Sequence, residues 1–589
     1  MGTDKRPKEP EVSSLQPDQT LGSRGRSSDM WFSSEEDILG IKSAFRQYFD
    51  LLAKNPDQSL AVQRTILQLL TDGNDGFRFM TDNVPGLPGS VVKDNRFKSG
   101  DWEENPFFKY IRDTYLQIVE VLLDSIGKID GLDDQMRRKV VFYSARYFET
   151  MSPSNFILTN PEVLRATFES GGQNLIKGAT NFLSDFSSGE GFLKPKKVDE
   201  CAFELGRNIA TSKGAVIFQN RLMQLIQYEP VVSEVYEKPL LIVPPWINKF
   251  YILDLSPENS FIKWATNQGL TVYVISWVNP DDKLSSVDFD DYGKEGFLEA
   301  VEVVVKNSAV SSINVLGYCL GGTLLGTMLA VMQSKRDPRV NSATFLTTML
   351  DFSEPGDLGV FVDDENIELI EDRMEERGYL AGKDLAVVFD LIRATDLIWY
   401  FFVQNYLLGK DPVAFDILFW NSDTTRLPVK MHSTYLRNMY LENRLVTPNS
   451  LSVGGVEVDL DEVLLPTCFV SAIEDHIAPW QSTLAGAKLM GVAPQFILTE
   501  GGHVAGIVNP PGEKAYCHRI LKVDESSGQF FDNGCDEEEH QFSWWISWLE
   551  WVKPHSGRKI RATPIDQGLI LERAPGHYVK KREFEDDCS

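Results

Sequence analysis

Apolar residues follow two different spacings along this chain. Between about residues 37 and 186 they recur at helical spacing, as in the stretches 38–48 and 110–122. After about residue 215, short apolar runs alternate with helix-like stretches. The runs lie at 240–243, 271–276, 313–317, 344–348, 468–471 and 496–499. This pattern predicts an all-helical region followed by βαβ units that form a mostly parallel sheet.

The composition and the apolar spacing together divide the chain into three expected regions. Residues 1–35 are rich in Ser, Pro, Lys, Asp and Gly, which predicts a disordered segment. A helical N-terminal domain is expected at 36–205, with helix starts at Ser152-Pro153 and Asn160-Pro161. An α/β catalytic domain is expected at 206–589, interrupted at about 353–444 by a helix-like, aromatic-rich insertion suited to form a cap. The tryptophans at 544–551 have helical spacing, which favours a buried helix face over contact with a polymer or partner.

Charge and cysteine content narrow the class of function. The 589 residues carry a net charge of −27, which argues against nucleic acid as a partner because phosphates require a basic surface. We find no apolar run near 18 residues and no signal-peptide core, so no membrane span is expected. Six scattered cysteines argue against a structural zinc site and a disulfide scaffold, and they fit a reducing cytoplasm. No phosphate-binding loop or metal-ligand cluster is apparent, so we expect no cofactor and no metal.

The most informative segment is Gly317-Tyr318-Cys319-Leu320-Gly321, which follows a predicted strand and precedes a helix of small residues. This context is typical of a nucleophile elbow, a turn so tight that glycine is needed on both sides of the nucleophile. A thiolate that attacks a thioester forms another thioester, so the acyl group stays activated for a second transfer. The alternative is an ordinary buried cysteine.

A cysteine nucleophile needs a base, because the free thiol is only slightly ionised near neutral pH. His503 follows a predicted strand in a Gly-Gly-His turn, and Asp475 follows the preceding strand. The order Cys319, Asp475, His503 is the nucleophile–acid–histidine order of the α/β-hydrolase fold. Glu474 competes as the acid, and His476 competes as the base.

An oxyanion requires two preorganised donors. The backbone N–H of Leu320, directly after the nucleophile, is the first candidate. The second should come from the loop 244–249, where the two prolines cannot donate, so Trp246 or Ile247 must supply it. The alternative interpretation of this loop is a rigid turn without a catalytic role.

These motifs together resemble the polyhydroxyalkanoate synthases, which make bacterial storage polyesters. The similar segments are 243–255, 317–322, 415–421, 474–480 and 502–511, and the resemblance extends from roughly residue 95 to 580. The length of the chain resembles single-subunit, class I-like members. The resemblance implies an α/β-hydrolase fold with a helical cap and the triad Cys319, Asp475 and His503. One departure is Trp246, where the family carries Cys, Phe or a similar residue, and this affects the size of the pocket.

The resemblance also implies the reaction and the partners. The substrate would be (R)-3-hydroxyacyl-CoA, with short chains such as 3-hydroxybutyryl-CoA favoured and medium chains left open, and CoA would be released. Asp475 would either orient His503 or act on the attacking hydroxyl. Asn248 and Arg393 would contact the substrate or CoA, although Arg393 equally suits a structural salt bridge. Trp420 resembles an aromatic residue linked to dimer formation, although core packing is the usual role of such a residue.

The expected protein is therefore a cytoplasmic acyltransferase at the surface of storage granules. It would be a homodimer in equilibrium with the monomer, with granule-associated proteins as further partners. The main alternative is a hydrolase on the same fold, either an intracellular polyester depolymerase or an acyl-CoA thioesterase. A non-catalytic granule-coating protein is the third interpretation, and the complete triad argues against it.

Overall fold

The structure is a computed structural model that describes residues 41–71, 94–187, 194–522 and 539–582. The segment 1–35 and the acidic residues 583–587 lie outside the described residues. The N-terminal helices are α1 (Ile41–Lys54), α2 (Pro56–Thr71), α3 (Asp101–Glu104), α4 (Pro106–Gly127), α5 (Asp134–Thr150), α6 (Pro161–Glu169) and α7 (Gln173–Ser187). The described part of the N-terminal region is thus helical, as its apolar spacing predicts.

Side-chain caps explain where these helices begin. The Asn160 side chain accepts hydrogen bonds from the N–H groups of Glu162 and Val163, so α6 starts as predicted. At Ser152 the prediction of a helix start gives only a short 3₁₀ turn, Pro153–Asn155. The physical reason is that the Ser152 hydroxyl pairs with the hydroxyl of Ser154, 2.8 Å away, and leaves the backbone N–H groups uncapped.

Within the described residues the main sheet contains eleven strands, in the order β15-β14-β13-β12-β7-β6-β4-β5-β2-β1-β17, with the ranges given in the next sentence. All described strands are β1 (Gly214–Gln219), β2 (Met223–Tyr228), β3 (Glu234–Tyr236), β4 (Leu240–Val243), β5 (Val272–Trp277), β6 (Ile313–Tyr318), β7 (Val340–Leu346), β8 (Tyr379–Leu380), β9 (Leu427–Pro428), β10 (Ser452–Val453), β11 (Val456–Glu457), β12 (Thr467–Ala472), β13 (Gln495–Thr499), β14 (His518–Lys522), β15 (Glu539–His540), β16 (Lys559–Arg561) and β17 (Glu572–Arg573). From β5 to β13 neighbouring strands are parallel, and both flanks are antiparallel. The prediction of a mostly parallel sheet is confirmed.

The burial of a strand determines whether it can be recognised in the sequence as an apolar run. Strands β4, β5 and β6 are buried along their whole length, so they read as continuous apolar runs. β7 begins at Val340, four residues before the predicted run at 344–348. The early part of β7 is hidden in the sequence because Asn341 and Ser342 are polar. Both donate hydrogen bonds to the buried side-chain oxygen of Asn314 on β6, at 3.1 and 2.8 Å.

The remaining helices lie between the strands along the chain. They are α8 (Phe261–Asn267), α9 (Phe289–Asp291), α10 (Glu299–Ser308), α11 (Leu320–Ser334), α12 (Asp364–Arg377), α13 (Gly382–Ile392), α14 (Asp416–Ser422), α15 (Val429–Tyr435), α16 (Trp480–Ala487) and α17 (Trp544–Val552). Helices α12 to α15 lie between β7 and β12, together with the π-helical stretches Thr395–Trp399, Phe402–Leu407 and Leu436–Leu441. A helical insertion therefore follows β7, while the domain limits at 36–205, 206–589 and 353–444 stay predictions.

Helix α17 supports the loop that follows β13. Trp544, Trp545 and Trp548 are fully buried, in agreement with the predicted apolar face. The indole N–H of Trp544 donates to the carbonyl of Gly506 at 3.0 Å, and that of Trp545 donates to Ile507 at 3.0 Å. Because buried indole donors need partners, these two bonds hold the carbonyls in fixed positions. Helix α17 thus holds the loop after β13 in place through these two hydrogen bonds.

The cysteines differ from expectation in one respect. Cys201 takes part in a disulfide bond, whereas the scattered cysteines argued against a disulfide scaffold. Spacing along the chain does not reveal such a bond, because folding brings distant residues together. Among the described residues, no helix is long and apolar enough to cross a membrane, and no group of three or more His, Cys, Asp or Glu could hold a metal ion.

The N-terminal helices pack on the insertion. The ring of Phe142 on α5 lies edge-on to that of Phe361, with centroids 5.4 Å apart. One guanidinium nitrogen of Arg146 donates to the last carbonyls of α13, at 3.1 Å for Leu391 and 2.6 Å for Ile392. On α7, Asn174 donates to the carbonyl of Leu407 at 2.8 Å. The helical region therefore braces the insertion from outside.

Arg146→Met should weaken this brace, because it removes the donors to two helix-terminal carbonyls. We expect the free energy of unfolding to fall by about 1–3 kcal/mol, measured by urea unfolding followed by tryptophan fluorescence. Arg138→Met on the same helix is the control. Arg138 is half-exposed and its ion pair with Glu354 spans 3.6 Å, so its loss should change stability by less than about 0.5 kcal/mol. Equal effects of the two substitutions would contradict the brace.

Candidate active site

Cys319 lies in a strained turn between β6 and α11. Its backbone has φ 51° and ψ −119°, a conformation that L residues rarely adopt. A Cβ atom on Gly321 would lie 2.0 Å from the carbonyl oxygen of Val243, and one on Gly317 would lie 2.5 Å from the Cα of Gly322. Glycine is therefore required on both sides of Cys319 by close backbone contacts. Cys319 is a partly exposed free thiol.

His503 and Asp475 are joined in the loops that follow β13 and β12. His503 Nδ1 lies 2.7 Å from Asp475 Oδ2, and the Asp475 carboxylate is fully buried. The other carboxylate oxygen accepts hydrogen bonds from the N–H groups of Ile477 and Ala478, at 2.9 and 2.8 Å. These two backbone donors fix the carboxylate, and the carboxylate in turn orients the imidazole.

Cys319 joins this pair electrostatically. Burial of the imidazole is the largest influence on the pKa of His503 and lowers it. The charges of Asp475 and Cys319, together with hydrogen bonds to both, outweigh burial and hold the pKa well above its ordinary value. Tyr318, next to the cysteine, stacks on the imidazole at 5.9 Å and donates its hydroxyl to the carbonyl of His503 at 3.2 Å. The structure thus brings Cys319, His503 and Asp475 together.

The competing residues are placed differently. Glu474 is exposed, whereas Asp475 is buried. His476 Nδ1 lies 3.4 Å from the Nη1 atom of Arg393. Burial, with a contribution from the charge of Arg393, lowers the pKa of His476 to about 4. The geometry therefore favours Asp475 and His503 over their neighbours.

The loop 244–249 runs beside Cys319 and is tied to the insertion. The hydroxyl of Thr425 lies 3.1 Å from the carbonyl of Trp246 and 2.6 Å from that of Ile247. The indole N–H of Trp420 donates to the carbonyl of Lys249 at 2.7 Å. These bonds orient the loop, but they leave both Trp246 and Ile247 as candidates for the second oxyanion donor. Leu320 is the first residue of α11, so its N–H has no acceptor within the helix.

Comparisons with known proteins show which family the chain resembles. Residues 93–265 match the family model of the poly-beta-hydroxybutyrate polymerase N-terminus, and residues 239–510 match that of the alpha/beta hydrolase fold. The chain is similar to the poly(3-hydroxyalkanoate) polymerase subunit PhaC of Rhizobium etli, with 42% identity over 83% of this chain and 77% of the relative. The corresponding subunit of Rhizobium meliloti is 40% identical over 95% of this chain and 91% of the relative. The subunit of Cupriavidus necator is 40% identical over 83% of this chain and 84% of the relative.

The chain belongs to the poly(3-hydroxyalkanoate) polymerase family. The α/β-hydrolase fold and the acyltransferase class expected from the sequence are thereby confirmed. The family matches do not assign roles to individual residues. The roles of Cys319, Asp475, His503 and the oxyanion donors therefore stay predictions, which the geometry supports.

Other predicted residues of this polymerase have structural contacts. Arg393 forms a salt bridge with Asp396, the alternative that the sequence left open, and one side of its guanidinium faces His476. Trp420 is buried in the core, so its aromatic ring packs within the subunit. Asn248 is partly exposed and belongs to the loop 244–249, which we call the oxyanion loop. A contact with CoA stays a prediction for both Asn248 and Arg393.

Trp246, the departure from the family pattern, points into the protein. It is buried among Trp277, Phe289, Tyr292 and Tyr435, with ring centroids between 5.3 and 6.5 Å away. Its bulk therefore fills an aromatic cluster beneath the loop.

Sequence reasoning missed several residues around the site. Lys249 Nζ and Asp423 Oδ1 form a buried ion pair at 2.6 Å, and Tyr251 donates to the other oxygen of Asp423 at 2.8 Å. Tyr435 and Tyr440 are close enough to Cys319 for its charge to raise the pKa of each, although burial is the larger cause. Lys249 lies in a segment that resembles the family, but nothing in the sequence links Asp423 or the two tyrosines to the site.

The raised pKa of His503 predicts how stability depends on pH. A protonated His503 stabilises the fold fully below the unfolded-state pKa of about 6.5, and this contribution is lost as the pH rises through the higher folded-state pKa. Asp475→Asn removes the main cause of the increase. The difference in unfolding free energy between wild type and variant should therefore shrink as the pH rises above about 6.5 and through the higher folded-state pKa of His503. Asp461→Asn, at an exposed position, should show no such trend, and a constant difference for Asp475→Asn would contradict the coupling.

Proposed function

We propose that this polymerase converts (R)-3-hydroxyacyl-CoA into polyester through a thioester on Cys319. The observation that carries the proposal is the strained Cys319 turn beside the joined His503 and Asp475 side chains. Short-chain substrates such as 3-hydroxybutyryl-CoA are favoured over medium-chain substrates because the length and motifs of the chain resemble those of class I members of the family. No cofactor is required, since the thioester substrate already carries the activated acyl group.

In the first step, the proton of Cys319 resides on His503, as the raised pKa of the imidazole favours, and the Cys319 thiolate attacks the thioester carbonyl of the substrate. The negative oxygen that forms is stabilised by the N–H of Leu320 and by that of Trp246 or Ile247. The positive end of the α11 dipole adds to this stabilisation. The C–S bond to CoA then breaks, CoA leaves as the thiol after protonation by His503, and the acyl group remains on Cys319.

In the second step, the 3-hydroxyl group of another hydroxyacyl unit attacks the thioester on Cys319. His503 removes the hydroxyl proton, an ester bond forms, and the Cys319 thiolate is released. Asp475 supports this step by orienting His503 and by stabilising its protonated form, since it contacts Nδ1 directly. That contact favours orientation over a direct action of Asp475 on the hydroxyl.

Water must be kept from the thioester, because hydrolysis would end the growing chain. The insertion, together with Phe352 just before it, supplies apolar cover near Cys319. The rings of Phe352, Tyr435 and Tyr440 pack against one another at distances between 4.9 and 6.2 Å. Helical insertions of this kind can open for the substrate and close over it. The N-terminal helices, by bracing the insertion, would support the closed arrangement.

Substrate binding and assembly follow from the family. We place CoA near Asn248 and Arg393, where the guanidinium of Arg393 is partly exposed and available to a phosphate. We also propose that the polymerase acts at the surface of cytoplasmic storage granules, as a homodimer in equilibrium with the monomer and together with granule-associated proteins. These assignments rest on the resemblance of the sequence to the family.

The proposal is tested by incubating the purified protein with (R)-3-hydroxybutyryl-CoA. CoA release is followed with a thiol reagent, and the acyl product is sized. We expect CoA release together with high-mass polyester in the wild type. Cys319→Ala should abolish CoA release with little change in the unfolding transition, because the side chain is small and partly exposed.

Cys468→Ala is the matched control. Cys468 is fully buried on β12 and burial raises the pKa of its thiol, so this variant should keep CoA release. Release of free 3-hydroxybutyrate without polymer would favour the thioesterase or depolymerase alternative. Substantial turnover by Cys319→Ala would contradict the assignment of the nucleophile.

A further inference from the structure

Tyr435 carries a buried polar group close to the proposed nucleophile. It is the last residue of α15 and is only 4% exposed. Its ring packs against Trp246 on the oxyanion loop, Phe352 and Tyr440, with centroids 6.3, 6.2 and 5.4 Å away. Cys319 packs against the same apolar cluster. The tyrosine is therefore the part of the insertion that contacts the oxyanion loop beside Cys319.

The hydroxyl of Tyr435 has no partner at hydrogen-bonding distance among the residues that the structure describes. A side-chain interaction with Tyr440, outside normal hydrogen-bond geometry, contributes to the raised pKa of Tyr435 after burial and charge. Burial above all, with the charges of Tyr440 and Cys319, raises the pKa of Tyr435 well above its ordinary value. The group is therefore a protonated donor at neutral pH.

An unpaired buried hydroxyl destabilises a folded protein and calls for a physical reason. A substrate group that completes the hydrogen bond would provide one. The acyl group of a 3-hydroxyacyl thioester carries a hydroxyl on its third carbon, close to the carbonyl that Cys319 attacks. A ligand bound at Cys319 thus brings a polar group into the otherwise apolar cluster that contains Tyr435.

We propose that the hydroxyl of Tyr435 binds the 3-hydroxyl group of the acyl chain and selects hydroxyacyl over plain acyl substrates. This inference rests on the proposed function and names the residue that recognises the distinguishing group of the substrate. A site that hydrogen-bonds a substrate hydroxyl rejects an analogue without it, because the buried protein group is then left unpaired. Tyr435 acts by contact with the substrate and takes no part in proton transfer to Cys319.

The test compares (R)-3-hydroxybutyryl-CoA with butyryl-CoA, which has the same chain length but no 3-hydroxyl. The rate constant for the first release of CoA measures acylation with each thioester, because butyryl-CoA cannot be extended. The wild type should prefer the hydroxyacyl substrate by at least about tenfold, and Tyr435→Phe should reduce this preference by about tenfold. The variant should slow acylation by the hydroxyacyl substrate while leaving butyryl-CoA unchanged or faster.

Tyr228→Phe is the matched control. Tyr228 on β2 is 1% exposed, and its hydroxyl likewise has no hydrogen-bond partner within the described part of the chain. The charge that raises its pKa, after burial, is that of Asp254, and Asp254 belongs to a network with Ser212 and Ser260. Tyr228→Phe should therefore leave the preference unchanged. Each substitution removes only an unpaired hydroxyl, so neither should lower the midpoint of thermal unfolding.

The outcomes separate this inference from the proposed function. If the wild type releases no CoA from (R)-3-hydroxybutyryl-CoA, the proposed function fails. If it does so but acylates equally fast with butyryl-CoA, the inference is overturned without any variant. Equal slowing of both substrates by Tyr435→Phe would also overturn it, because that result would indicate a structural role or a contact with the carbonyl oxygen.

Discussion

The conformation of Cys319 is the constraint on which the proposed site depends. Its positive φ turns the chain sharply from β6 into α11, and this turn places the thiol above the end of the sheet. Such backbone strain persists only where the surroundings enforce it. Here the carbonyl of Val243 occupies the space that a side chain on Gly321 would need, and Gly317 is pressed against Gly322. The same close approach brings the loop after β4 beside the thiol, so one steric feature positions both the nucleophile and the oxyanion loop.

Three separate parts of the chain hold the other components around this turn. Helix α17 fixes the loop after β13 through Trp544 and Trp545, and that loop carries His503. The insertion holds the oxyanion loop through the buried ion pair of Lys249 and Asp423. Breaking a buried pair by removing one partner is costly, so this link resists local movement. The N-terminal helices in turn brace the insertion, which explains how a region without proposed catalytic residues contributes to the site.

The sequence predicted the parts of this protein whose patterns are local. Central strands such as β4 are apolar throughout, and the elbow around Cys319 is a short motif with a steric cause, so both could be read directly. The start of β7 could not, because the polar residues Asn341 and Ser342 resemble a surface loop in the sequence, and only the structure shows their hydrogen bonds to β6. The contacts of Asp423 and the placement of Tyr435 depend on how the insertion folds back, which no spacing in the sequence encodes.

The central claim is that Cys319 carries the acyl group as a thioester, and mass spectrometry of the trapped intermediate tests it most directly. Butyryl-CoA supplies an acyl group that cannot be extended, so the acylated enzyme should accumulate during incubation at low temperature. A mildly acidic quench then preserves the thioester for analysis. The account predicts one butyryl group per chain, found on the peptide that contains Cys319 and removed by neutral hydroxylamine. A butyryl group on another residue, or product formation without any acylated chain, would contradict it.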